Sequence, residues 1–235
     1  MAAPPSLLYT GSPDMTITSS TLADRRRLRR FVSYVKPAAG DAVLDITPGN
    51  DLLARAFSSR VERVVKWRPG KSGGEKALEL PFPDEQFDIV TCGATFHHLK
   101  DSRAILAEAF RVCKPGGKLA IEDIVASEQE VRARYQNRLE KLRDRSHLDY
   151  LRLSQFLALI GQAGFQPRRL EVMDLPREFN EWLTGARPSP QRVELIRRLL
   201  SGGQEADLSG LDIRNLDDTL EFTQRLAWIV AEKPE

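Results

Sequence analysis

Two adjacent histidines, His97 and His98, follow an apolar run, FDIVTC (Phe87 to Cys92). The carboxyl end of a parallel strand is where open α/β sheets bind ligands. A neutral imidazole there can take a proton or orient a hydroxyl near pH 7. Glu122 and Asp123 close a second run, KLAIEDIV (Lys118 to Val125). Successive strand residues point to opposite faces, so one of these carboxylates faces the cleft, and Asp123 is the expected one; capping a helix is its alternative role. The catalytic candidates are therefore His97, His98 and Asp123, with a bond to a backbone carbonyl as the structural alternative for either histidine. No metal site is expected, because neighbouring histidines at a strand end do not converge on one ion without carboxylate help from Asp101 or Asp123. Cys92 lies inside an apolar strand and Cys113 at a helix position facing the sheet, so both read as core rather than as nucleophiles. Lys71 and SGGE (Ser72 to Glu75) lack the spacing and the following helix of a phosphate loop.

These residues need a frame to hold them. The chain has 235 residues, 41% of them hydrophobic, enough for one domain with a substantial core. Residues 1–22, rich in Pro, Ser, Thr and Gly, read as a loose lead-in to a single domain over 23–235. A helix capped by Thr21 or Asp24 runs to Val35 with Leu28, Phe31, Val32 and Val35 on one face. Its run Arg25 to Arg30 reads as a solvated face rather than a phosphate-binding patch. Strands are expected at Ala42 to Ile46, Val61 to Val65, Phe87 to Cys92 and Lys118 to Val125. Helices are expected at Leu52 to Phe57 and Ala104 to Cys113, the latter closed by Lys114-Pro115-Gly116-Gly117. Strands alternating with helices imply a mostly parallel α/β sheet. Charged helical segments over about 128–150 and 174–210 read as a lid, Leu153 to Ala163 as a further helix, and the run from Thr219 as a strand returning to the sheet.

Lys+Arg number 35 against Asp+Glu 33, a formal charge of +2, which argues against nucleic acid as the partner. No apolar run reaches the roughly 20 residues of a membrane span, and the amino terminus lacks a secretory pattern, so a cytoplasmic location is expected.

LPFPDEQFDIVTC, FHHLKD, AEAFRVCKPGGKLAIED and RLEKLRDRSHLDYL…FLALIGQAGF together resemble the class I S-adenosylmethionine (SAM)-dependent methyltransferases. The nearest branch is similar to the ubiquinone/menaquinone biosynthesis methyltransferases, which act on small molecules. The resemblance extends from about Ala23 to the end. It implies a Rossmann-like sheet of seven strands with a reversed final hairpin, a helical lid, SAM as cofactor, and an apolar small molecule as substrate, and it leaves a homodimer open. It also implies cofactor contacts at Asp45, Gly49, Leu80 and Phe96, and places His147 near the lid, where an anchoring hydrogen bond is expected.

The departures from the family pattern cluster at the cofactor. Thr47 and Asp51 stand at the flanking glycine positions, and Lys66 stands where the family's ribose-binding acid ends the second strand. An ammonium offers three donors and no acceptor to a ribose diol. Lys76 falls at the adenine-side acid, and only twelve residues separate Lys66 from Glu79, short for a crossover helix and a third strand. The reading that follows is a methyltransferase-fold protein with an impaired SAM pocket, binding or converting an apolar small molecule without methylating it. A working SAM methyltransferase with a noncanonical site is the alternative, and a non-catalytic partner protein the second.

Overall fold

The computed structural model describes residues 21–67, 79–202, 208–216 and 219–235. Helix α1 (Arg25–Val35) starts where Asp24 accepts from the Arg26 amide at 2.8 Å, and it buries Leu28, Phe31, Val32 and Val35. Strand β1 (Ala42–Asp45) is buried at all four positions, as a strand covered on both faces must be. Helix α2 (Leu52–Phe57) leads to β2 (Arg63–Lys66), which lies slightly later than the VERVV expectation. Next come β3 (Phe87–Gly93), a 3-10 turn (Phe96–His98), and α3 (Ser102–Val112), capped by Asp101. The remainder is β4 (Cys113–Val125), α4 (Glu130–Arg143), α5 (Leu153–Gln162), β5 (Gln166–Glu178), α6 (Phe179–Thr184), α7 (Pro190–Gly202), β6 (Arg214–Leu216) and β7 (Thr219–Glu232).

Among the described residues the sheet has seven strands, ordered β2-β1-β3-β4-β7-β5, with β6 pairing β7. The β1, β2, β3 and β4 pairings are parallel, and β7 runs antiparallel to β4, β5 and β6. This is the Rossmann-like α/β architecture with a reversed final element. Alternation along the strands divides the core by face. Leu44, Val90 and Ile121 join Phe156 and Ile160 of α5 on one side, while Val43, Ile89 and Trp228 join Phe31 of α1 on the other. A third cluster, around Leu139, Phe179, Trp182, Ile196, Leu200 and Phe222, is the lid's own core.

Two expectations are corrected. Lys114 to Gly117 does not close α3 as a turn: the helix stops at Val112 and Cys113 begins β4, pairing with Phe87. The register shift between Phe87 and Ile89 absorbs this stretch, and a Cβ on Gly117 would lie 2.8 Å from the Lys114 carbonyl oxygen, so a larger residue does not fit. The second lid segment begins at Phe179, not Asp174, because β5 stays zipped to β7 as far as the Glu178–Glu221 pair. The lead-in through Ser20, the loop at 68–78 and the shortened crossover it carries lie outside the described residues. Among the described residues, no helix is long and apolar enough to cross a membrane.

Candidate functional site

The carboxyl ends of β3 and β4 bring His97 and Asp123 together, with His97 Nδ1 2.7 Å from Asp123 Oδ1. Oδ2 of the same carboxylate accepts from the Thr95 and Phe96 amides at 3.0 and 2.8 Å, and Oδ1 also accepts from the Ile124 amide at 2.8 Å. A carboxylate can only accept, so Nδ1 of His97 carries the proton and donates. Nε2 has no hydrogen-bond partner among the described residues, so its lone pair is available to a ligand proton. Burial pushes Asp123 up, but the His97 imidazole and the amide donors outweigh it and hold the carboxyl below its usual range. Glu122 points to the other face, where its carboxylate is buried with Arg27 and accepts from Trp228 Nε1 at 2.7 Å. Asp123 is the carboxylate on the His97 side, and it holds the 3-10 turn in place as well.

The lid is pinned to this turn through His97 and His98, and His147 is anchored within the lid. His97 O accepts from the Leu148 amide at 2.8 Å. His98 Nδ1 lies 3.2 Å from Ser146 O and 3.1 Å from Ser146 Oγ, whose own proton goes to Asp144 Oδ1 at 2.6 Å. Asn137 Oδ1 accepts from the Tyr150 amide at 2.6 Å, which fixes the orientation of that side chain, so His147 Nε2, 2.8 Å away, is the donor. Burial and the neighbouring His97 lower the His98 pKa to about 4. Burial lowers that of His147 to about 3, against the pull of Glu140. Both rings are neutral at pH 7. His98 therefore has the backbone-carbonyl partner that sequence left as its alternative, and His147 has an anchoring bond to α4.

At the end of β1 the geometry is different. Register pairs Asp45 with Lys66 across β1 and β2, and Lys66 Nζ sits 3.0 Å from Asp45 Oδ2. Asp45 is fully buried, and its Oδ1 accepts from the Thr47 amide at 2.8 Å. Lys66 also donates to the Thr47 carbonyl, which draws the ammonium over the turn that follows. Gly49 adopts φ 79°, a conformation that favours glycine, so the central glycine of the turn keeps its backbone role. Leu80 and Phe96 belong to one apolar cluster with Ile46 and Trp67. The Leu80 amide donates to Glu108 at 2.6 Å, and the Phe96 ring packs edge-on against Phe156 at 4.8 Å.

A family profile described as Methyltransferase domain matches residues 38–121. YafE of Escherichia coli is 34% identical over 147 residues, which span 63% of this chain and 69% of the relative. YcgJ of Bacillus subtilis, described as an uncharacterized methyltransferase, is 28% identical over 218 residues, or 84% of this chain and 86% of the relative. Its crystal structure matches with a TM-score of 0.82 at 25% identity, covering 90% of this chain and 100% of that one. The chain belongs to the class I SAM-dependent methyltransferases. A demethylmenaquinone methyltransferase of Corynebacterium urealyticum is 37% identical over 111 residues, 42% of this chain and 47% of that protein, so this class I chain is related to small-molecule methyltransferases.

In this family member the strand ends and the lid enclose a cleft of about 70 Å³ among the described residues, lined by Thr47, His97, His98, Tyr150, Arg143 and Arg177 among others. Sequence reading missed the last three. Burial pushes Glu140 up, but the Arg143 guanidinium beside it holds the carboxyl at about 2. Arg143 also lies 5.2 Å above the Trp182 ring, and Arg177 donates to Gln224 at 2.9 Å. Their signal is weak in sequence, because a charged residue on a helix such as Arg143, or near a strand end such as Arg177, is normally solvated. The three tryptophans are core residues: Trp182 lies in the lid core, and Trp67 and Trp228 lie in the sheet core. Burial pushes the Cys92 thiol up and Cys113 up to about 12, so neither is a thiolate at neutral pH. Among the described residues no His/Cys/Asp/Glu group has metal-binding geometry.

Proposed function

We propose that this methyltransferase-fold protein has given up conventional SAM binding and uses the cleft for a mainly apolar small molecule, which exchanges a proton with His97. The Lys66–Asp45 contact carries this reading. SAM's ribose presents two hydroxyl donors to an acidic residue at the end of the second strand in the family. Here that position offers an ammonium, and Asp45 beside it is already committed to Lys66 and the Thr47 amide. The residues present do not match the cofactor's donor pattern.

The chemistry left to the chain is acid–base. A proton on an acidic O–H or C–H of the ligand passes to His97 Nε2, Asp123 stabilises the imidazolium, and the same proton returns at a second position. This is what an isomerisation or cyclisation needs, and such steps run on positioning and oriented polar groups. The Gly49 turn and the similarity to YcgJ over 84% of this chain favour a second reading, SAM-dependent methylation of a small molecule with an altered cofactor site. His97 would serve there as the base on the acceptor.

Lys66→Asp separates the two readings. Under the first, the wild type shows no thermal shift with SAM and the variant gains one. A wild type stabilised by SAM as strongly as the variant would support the second reading.

A further inference from the structure

Helix α1 carries Arg25, Arg26, Arg29 and Arg30 on its exposed side, with like charges repeated at i and i+4. Such pairs repel and weaken a helix slightly. Elsewhere on the surface the same spacing brings opposite charges together, as in Arg134 with Glu130 and Arg198 with Glu194. Among the described residues, Arg25, Arg29 and Arg55 form no ion pair. They line a concave site of about 240 Å³ between α1 and α2, together with Leu28, Leu52, Ala56 and Ser59. Sequence composition hides this, because a net charge of +2 averages a basic face with an acidic remainder.

Three arginines line one hollow and, among the described residues, no carboxylate does, which calls for an anion of more than one charge and several oxygens. A carboxylate brings a single charge. A phosphate monoester brings about −1.5 to −2 and three acceptor oxygens, which suit the planar fork of arginine. We propose that the α1–α2 hollow binds the phosphate group of a small ligand or lipid headgroup, with Arg25, Arg29 and Arg55 on the phosphate and Leu28, Leu52 and Ala56 against its carbon skeleton. This site lies outside the His97 cleft and does not depend on the reaction assigned there.

The test is calorimetric titration of inorganic phosphate, pyrophosphate and glycerol 3-phosphate into the full chain, paired with sedimentation on phosphatidylcholine vesicles with and without phosphatidic acid. Binding of a phosphate probe is expected, with Arg29→Gln and Arg55→Gln each weakening it by roughly tenfold or more, and Arg134→Gln, an equal charge change on α4, leaving it intact. Binding to the soluble esters assigns a free phosphate ligand. Binding confined to phosphatidic acid vesicles, and lost in the same two variants, assigns a headgroup. The proposal is overturned if no probe binds by about 10 mM, if all three variants weaken binding equally, or if malonate binds as tightly as the phosphates.

Discussion

Asp123 accepts four hydrogen bonds, three from backbone amides and one from His97, so its carboxylate is saturated. Asp123→Ala leaves those buried donors unmet and is expected to cost about 3 kcal/mol in urea denaturation at pH 7. His97→Ala, which keeps the amide bonds to Asp123, should cost clearly less. A cost for Asp123→Ala below that of His97→Ala would remove the role of Asp123 as the organiser of the 3-10 turn. Protons make a second prediction. His98 and His147 have folded pKa values of about 4 and about 3, below their ordinary 6.5. The unfolded chain therefore binds more protons as pH falls through 6.5. Stability is complete above that value and declines toward pH 4, by a few kcal/mol in all. Denaturation midpoints at pH 7, 5.5 and 4.5 check this. His147→Gln, which keeps the donor to Asn137, should flatten the decline, and midpoints that do not move with pH would contradict it.

At the scale of elements, periodicity and punctuation located most of the fold. Leu28, Phe31, Val32 and Val35 announced α1, and short apolar runs announced β1, β3 and β4. The misplaced boundaries have tertiary causes. Lys114 to Gly117 reads locally as a helix stop followed by a loop, but pairing to β3 extends the strand back to Cys113. Asp174 to Glu178 carries the charge of a surface helix, yet β7 holds it in the ladder. Gly164, with φ 99°, is the joint between α5 and β5, and a Cβ there would lie 2.7 Å from the Phe110 ring. Gly164→Ala should therefore destabilise the protein by about 1–3 kcal/mol, read as a lowered denaturant midpoint. A neutral result would mean that the joint relaxes freely.

Across the whole molecule, the lid has a core of its own beside the two clusters that cover the faces of the sheet. Trp182, buried among Phe179 and Phe222, is the largest side chain of the lid core. Trp182→Ala should speed limited proteolysis between α6 and α7 well before the β3–β4 amides lose protection in hydrogen exchange, whereas simultaneous loss of both would mean a single cooperative unit. The site was partly legible for the same structural reason. His97 and Asp123 come from strand ends, which sequence locates well, and their pairing follows from parallel neighbours in register. Arg143 and Tyr150 reach the cleft from α4 and the segment after it, and Arg177 from the last turn of the β5–β7 ladder, and no local pattern reports where these distant segments converge.

Lys66 at the end of β2 is the residue on which the functional reading turns. Isothermal titration of SAM and S-adenosylhomocysteine into the wild-type protein tests it most directly. The expected result is no heat of binding for either ligand up to about millimolar concentration. Micromolar binding of either would contradict the reading and make the protein a SAM-dependent enzyme whose cofactor accommodates the Lys66–Asp45 pair.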